Sequence, residues 1–162
     1  MSNDNYIIGS IQRYIFSGSL TQSMADALLK APQFEKMDVL VSQLDRSGVD
    51  KMLEYMDQGL VKSLFIDSGA YSVHSQGFEK VSKGKFATFN DMVDEYIEYV
   101  NGLDDKIIAV AQFDHIPGVF KQPKKPSDYE ESAELSWENF LYMYPKMKSP
   151  EKLISVFHQG ER

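Results

Sequence analysis

The apolar positions along this chain change period from segment to segment, and the changes mark its elements. Leu64-Phe65-Ile66 runs into Asp67, Ile107-Ile108-Ala109-Val110-Ala111 into Gln112, Phe113 and Asp114, and Leu153-Ile154-Ser155-Val156-Phe157 into His158, Gln159 and Gly160. Each run is short, apolar and β-branched, and each stops on polar residues and a turn. That is the pattern of strands buried on both faces of a parallel sheet. Residues 37–43, with Val39, Leu40 and Val41, predict a further strand. Residues 6–9 and 14–18 read as short strands or turns.

Stretches of helical period lie between the runs. Residues 21–31 carry Met24, Ala27 and Leu28 on one stripe, and Pro32 ends the helix. Residues 47–58 place Val49, Met52, Leu53 and Met56 on one stripe, and Gly59 stops it. Asn90 is the expected cap of a helix with Met92, Val93, Tyr96, Ile97 and Val100 inside. Ser127-Asp-Tyr-Glu130 has capping-box spacing and opens a helix through about residue 144. Residues 72–87 are expected as a long polar loop. Residues 116–127, with Pro117, Pro123 and Pro126, are expected as another. The fold class is therefore α/β, with parallel strands joined by crossover helices. A complete (βα)8 barrel takes about 250 residues, roughly 31 per unit. With 162 residues the chain matches the N-terminal half of such a barrel, as one domain with residues 1–36 leading into βα units over 37–162. An open α/β sheet is the alternative.

Composition narrows the classes. The formal net charge is −7, so nucleic-acid binding would need a local basic patch. Lys121, Lys124 and Lys125 form the tight cluster, which also fits a solvated loop. The absence of cysteine removes disulfides, thiolate metal sites and cysteine nucleophiles. No run reaches the roughly 18 apolar residues of a membrane span, and residues 1–6 lack a leader pattern. A soluble cytoplasmic protein is expected, with no membrane partner and no cofactor.

Chemistry in parallel α/β sheets sits beyond the carboxyl ends of the strands. Those ends carry Asp67, Asp114, His158 and Gln159. Asp67, followed by Ser68 and Gly69, suits acid–base work if partly buried, or caps its own turn. Asp114 can accept two N–H donors from a heterocycle, or cap a turn. His115 can titrate near neutrality. A Gln159 amide can read a base edge, or simply end a strand. His74 is expected on the surface and Trp137 in the packing. Asp67, Asp114, His115 and His158 together could also hold a divalent metal for hydrolysis.

Four segments in this order, Asp-Val-Leu-Val-Ser42, Phe-Ile-Asp67-Ser68-Gly69-Ala70-Tyr71, Ala-Gln112-Phe113-Asp114 with Pro117, and Val-Phe-His158-Gln159-Gly160, resemble the tRNA-guanine transglycosylase superfamily. The similarity is to its shorter phage and bacterial relatives that handle 7-deazaguanine bases such as queuine. It covers roughly residues 37–162. In that family a D-S-G-G-[FY] strand end carries a general base, matched by Asp67, with Ser68 and Gly69 in the same turn. An F-D strand end recognises the base, matched by Asp114. A Q-G strand end also contacts it, matched by Gln159 and Gly160. Ala70 stands where the motif has its second glycine. The resemblance implies base exchange on guanine in tRNA or DNA through a covalent ribosyl–enzyme intermediate. The family's aspartate nucleophile lies on a later strand, and its zinc site needs cysteines. Neither is carried over, so activity by this chain alone is not expected. A half barrel would leave sheet edges and an apolar face open, so self-association or a complementary chain is expected. A non-catalytic base- or partner-binding fragment is the alternative.

Overall fold

The computed structural model describes residues 15–31 and 36–158. The expected run at 6–9, the stop at Pro32, and Gln159 and Gly160 lie outside them. The chain runs β1 (Ile15–Ser17), α1 (Gln22–Leu29), β2 (Met37–Ser42), α2 (Arg46–Asp57), β3 (Val61–Asp67), α3 (Ala70–Gln76), α4 (Phe78–Ser82), α5 (Phe89–Gly102), β4 (Ile107–Ala111), α6 (Pro126–Met143) and β5 (Leu153–Ile154). The five strands form one parallel sheet in chain order, β1-β2-β3-β4-β5. The register pairs Ser42 with Asp67, Ile66 with Val110 and Ala111 with Ile154. The carboxyl ends of β2, β3, β4 and β5, which lead to Asp67, Asp114 and His158, therefore lie on one side.

The two faces of the sheet differ. Val39, Val41, Leu64 and Ile66 are buried in one core with Val49 and Met52 of α2 and Met92, Val93, Tyr96 and Val100 of α5. The alternating residues Leu40 and Phe65 are only half-buried on the other face. That face also carries a polar pair, in which the Ser63 hydroxyl donates to the Asp38 carboxylate across facing strands. No helix among the described residues is long and apolar enough to cross a membrane.

Several expectations need correction. Residues 72–87 are not a loop: α3 and α4 occupy most of the segment. Gly69 (φ 78°) starts the first of them and Gly77 (φ 90°) joins the two, both on the positive-φ side that glycine tolerates. Val73, Phe78 and Val81 pack on the core, which stabilises helices too short to stand alone. β1 pairs with β2, so the sheet begins within the segment read as a lead-in.

The caps also differ. Thr88, not Asn90, caps α5: its hydroxyl accepts from Asp91 N–H while the Asp91 carboxylate accepts from Thr88 N–H at 2.8 Å. Asp45 caps α2. α6 opens at Pro126, where Asp128 accepts from the Lys125 N–H at 2.7 Å, so Ser127 is not its cap. β5 is two residues long, and residues 155–158 continue outside the ladder. Trp137 is 51% exposed and stacks on Phe140 rather than entering the core. The inward face of α6 buries Ser132 and Ser136 and, at its end, Met143, and the indole lies off that face.

Candidate functional site

The site is built on the chain beyond β4. Phe113, Asp114 and His115 leave the ladder, so their backbone groups need other partners. α6 supplies them. The Met143 sulfur accepts from Phe113 N–H, and the Asn139 amide donates to the Phe113 carbonyl at 2.8 Å. The Ser136 hydroxyl accepts from His115 N–H at 2.9 Å, and Ser132 donates to the His115 carbonyl. The polar stripe of α6 thus acts as a substitute strand that fixes the loop carrying Asp114.

Asp114 is 8% exposed and borders a cleft of about 150 Å³. The cleft is lined also by Ala70, Val73, His74, Phe89, Phe113, His115 and Ile116. Its aromatic groups are mutually braced: Phe89 meets Phe113 edge-on at 5.0 Å and His115 at 5.3 Å. A second cleft of about 390 Å³ shares His74, His115 and Ile116, and extends to Asp128, Glu131 and Ser132. His158, beyond β5, places Nε2 2.8 Å from Asp114 Oδ2. Burial pushes the Asp114 carboxyl above its ordinary range, and repulsion from Asp67 adds to this. Its own backbone N–H and His158 pull the other way. Burial also lowers the pKa of His115, against the pull of Asp114, Glu131 and Glu138. His74 is lowered too, by burial and by the charges of Lys124 and His158. Both imidazoles are therefore biased toward the neutral form, which can accept as well as donate.

Asp67 has a different setting. Its Oδ2 accepts from Gly69 N–H at 3.0 Å, so it does cap the turn after β3. Ile66 pairs with Val110, which sets Asp67 level with Ala111, three residues before Asp114. It is not among the residues lining the two clefts, yet it lies within electrostatic range of Asp114. Ser68 is buried and turned into its own loop, its Oγ accepting from Ala70 N–H. A Cβ on Gly69 would sit 2.5 Å from Leu44 Cδ1, so any other residue would have to displace that side chain as well as adopt a φ of 78°. Ala70 starts α3, a role that does not require the motif's second glycine.

The structure therefore brings together Asp114, His115 and His158, sets Asp67 behind them, and places Gln159 and Gly160 outside the described residues. Among the described residues no group of three or more His, Asp or Glu side chains is placed to hold a metal ion, and the hydrolase alternative lacks a donor set.

Some contributors were not anticipated. His74 lines both clefts and meets Phe120 edge-on at 5.8 Å, so it is not a plain surface residue. The spacing of Ala70, Val73 and His74 is helical and would have signalled a shared face. Gln43 is buried and donates to the Ser68 carbonyl at 3.1 Å, pinning the Asp67 turn from β2. Nothing in its local sequence marks that role. No protein-family model, curated protein or solved structure matches this chain.

Proposed function

We propose that this chain carries the base-recognition side of a base-exchange glycosyltransferase of the tRNA-guanine transglycosylase type, acting on guanine or a 7-deazaguanine in tRNA or DNA. One observation carries the reading. A buried carboxylate, Asp114, borders a cleft walled by Phe89, Phe113 and His115 at the carboxyl rim of a parallel sheet. A planar heterocycle with adjacent N–H donors suits such a site: aromatic groups for its faces, and a carboxylate to accept bidentate bonds.

Two further features agree. The strands follow one another in chain order, as in a barrel, without the order reversal of a doubly wound sheet. The half-buried Leu40 and Phe65 lie where a barrel's interior would be. The N-terminal half of a (βα)8 barrel is thus the architecture we infer. Charge on the rim also differs from charge on the whole chain. Residues 115–125 contain Lys121, Lys124 and Lys125 and no acidic residue, and residues 68–88 contain Lys80, Lys83 and Lys85 against Glu79 alone. Lys83 and Lys85 share a groove of about 170 Å³ near the β2 end with Arg46, which Glu95 pairs at 2.6 Å. A phosphate backbone crossing this rim would meet net positive charge despite the −7 total.

In this scheme Asp114 holds the base, Ser68 and Gly69 form the turn that carries Asp67, Asp67 exchanges the proton, and Gln159 and Gly160 take the base contact that the resemblance assigns them. The exposed Ile154, Phe157, Trp137 and Leu141, near the β5 edge, are the surface through which the chain associates with itself or a complementary chain. The cytoplasm, where tRNA and DNA bases are accessible, is the matching compartment.

Calorimetry of the full chain with guanine and 7-deazaguanine tests the reading. Saturable binding is expected, weakened roughly 10- to 100-fold by Asp114→Asn, the cost of losing a charge-assisted acceptor. No binding, or equal binding by the variant, overturns it. Covalent trapping on nucleic acid, by the chain alone or with a partner chain, separates transferase from a purely binding fragment.

A further inference from the structure

His158 was singled out in the sequence only as a strand-end polar residue or a metal ligand, and the base-recognition scheme does not use it. Its geometry assigns it more. We propose that His158 is the positioning residue for base recognition, holding Asp114 Oδ2 through Nε2 so that the carboxylate keeps one orientation in the cleft. This rests on the reading that Asp114 binds the base.

His158 and Asp114 are 44 residues apart and reach the site from neighbouring strands, β5 and β4. The contact is 2.8 Å, and the two side chains are 24% and 8% exposed. A carboxylate offers about four lone-pair sites. His158 takes one on Oδ2, which leaves the remaining sites for the N–H donors of a base. Without a donor on Oδ2, the buried carboxyl would be free to turn about its last torsion and to take up a proton.

The surroundings make the second loss important. Asp114 faces Asp67 from the β3 end, His115 on its own segment, and the phenol of Tyr96 from α5 beneath, while His158 itself faces His74 of α3. Burial and Asp67 favour protonated Asp114, and His158 opposes both. A protonated carboxyl would present a hydroxyl where the base needs an acceptor. His158 therefore keeps the reading edge of the site in its accepting form as well as in place.

The test is titration of 7-deazaguanine into the full chain between pH 5 and pH 8, with wild type, His158→Leu, His158→Gln and Asp114→Asn. His158→Leu should bind about tenfold or more weakly at neutral pH. Its acid limb should move to higher pH, because losing the Nε2 donor on Oδ2 favours the protonated carboxyl. His158→Gln, whose amide can reach the same oxygen, should recover most of the affinity. Carbon-13 NMR of the Asp114 carboxyl in the unliganded variants should show the same displacement. If Asp114→Asn weakens binding but His158→Leu leaves affinity and acid limb unchanged, or Gln fails to rescue, the positioning role is wrong and base recognition stands. If Asp114→Asn binds as well as wild type, base recognition fails and the positioning role fails with it.

Discussion

The hydroxyl of Tyr96 donates to the carbonyl of Ala111 at 2.9 Å, from the middle of α5 to the last residue of β4. The carbonyl of Ile66 at the end of β3 is also within reach, at 3.2 Å. One phenol thus ties together the two strand ends that carry Asp67 and Asp114. Burial pushes its pKa well up, so it remains a donor. Tyr96→Phe should cost about 1–3 kcal/mol, because two buried carbonyls lose a shared donor. Urea denaturation checks this. A change below about 0.5 kcal/mol would mean that water or a shifted backbone replaces the hydroxyl.

Gly69→Ala should destabilise the chain by more than the roughly 1–2 kcal/mol of a left-handed alanine. The new methyl would also press on Leu44, whose Cδ1 is 2.5 Å from its ideal position. Leu44→Ala in the same chain should recover the steric part and leave the backbone part. Full recovery in the double variant would show that the φ of 78° is not costly at this turn.

Ser136→Ala should act on the site from outside it. It leaves the His115 N–H without the 2.9 Å acceptor that α6 supplies. The expected cost is about 1–3 kcal/mol in stability. Faster hydrogen exchange is expected at residues 113–115. Exchange rates there equal to wild type would remove α6 from its supporting role.

Asp114 makes stability depend on pH with an unusual sign. Its folded-state pKa is raised above 3.8, so the native chain holds that proton more tightly than the unfolded chain. Stability from this group is therefore present in acid and is lost as pH rises from the unfolded value through the folded one. His115 acts oppositely: its pKa is lowered from 6.5, so stability falls as pH drops from about 6.5 through the folded value. Asp114→Asn should consequently be more stable than wild type at pH 7, with the difference shrinking toward pH 4. Thermal melts at stepped pH decide it. A variant less stable at pH 7 would show that the His158 contact outweighs the burial of the charge.

Trp137 reports association directly, because it is the single tryptophan and is half exposed beside α6's outer residues. If this face pairs with another chain, its emission should shift to the blue as concentration rises through the micromolar range, in step with light scattering. Trp137→Lys should abolish the scattering change. A concentration-independent spectrum from a monomer would remove the association proposal.

How far the sequence could be read depended on the range of the interaction. The strands around Leu64, Ile107 and Leu153 and the stripes of α2 and α5 were legible because burial imposes a period on neighbouring residues, and the period is visible along the chain. Asp67 and Asp114 stood out because strands end where apolar runs end. The caps were misplaced by a residue or two because Thr88, Asn90 and Asp91 are all competent, and only the backbone path selects among them. α3 and α4 were missed because their helicity comes from packing Val73, Phe78 and Val81 on a core assembled by distant segments, not from local propensity.

The βα alternation, the parallel sheet and the rim of polar strand ends were all legible along the chain. Those follow from local hydrophobic period and from the rule that a helical crossover of a dozen or more residues joins parallel strands. Packing between distant segments settles which rim residues meet. It set His158 on Asp114 across 44 residues, turned Asp67 into its own loop, gave the backbone of 113–115 to α6, and moved Trp137 outward. Each depends on side-chain direction and on the length of a strand beyond its last ladder bond. Neither quantity has a period that the sequence could display.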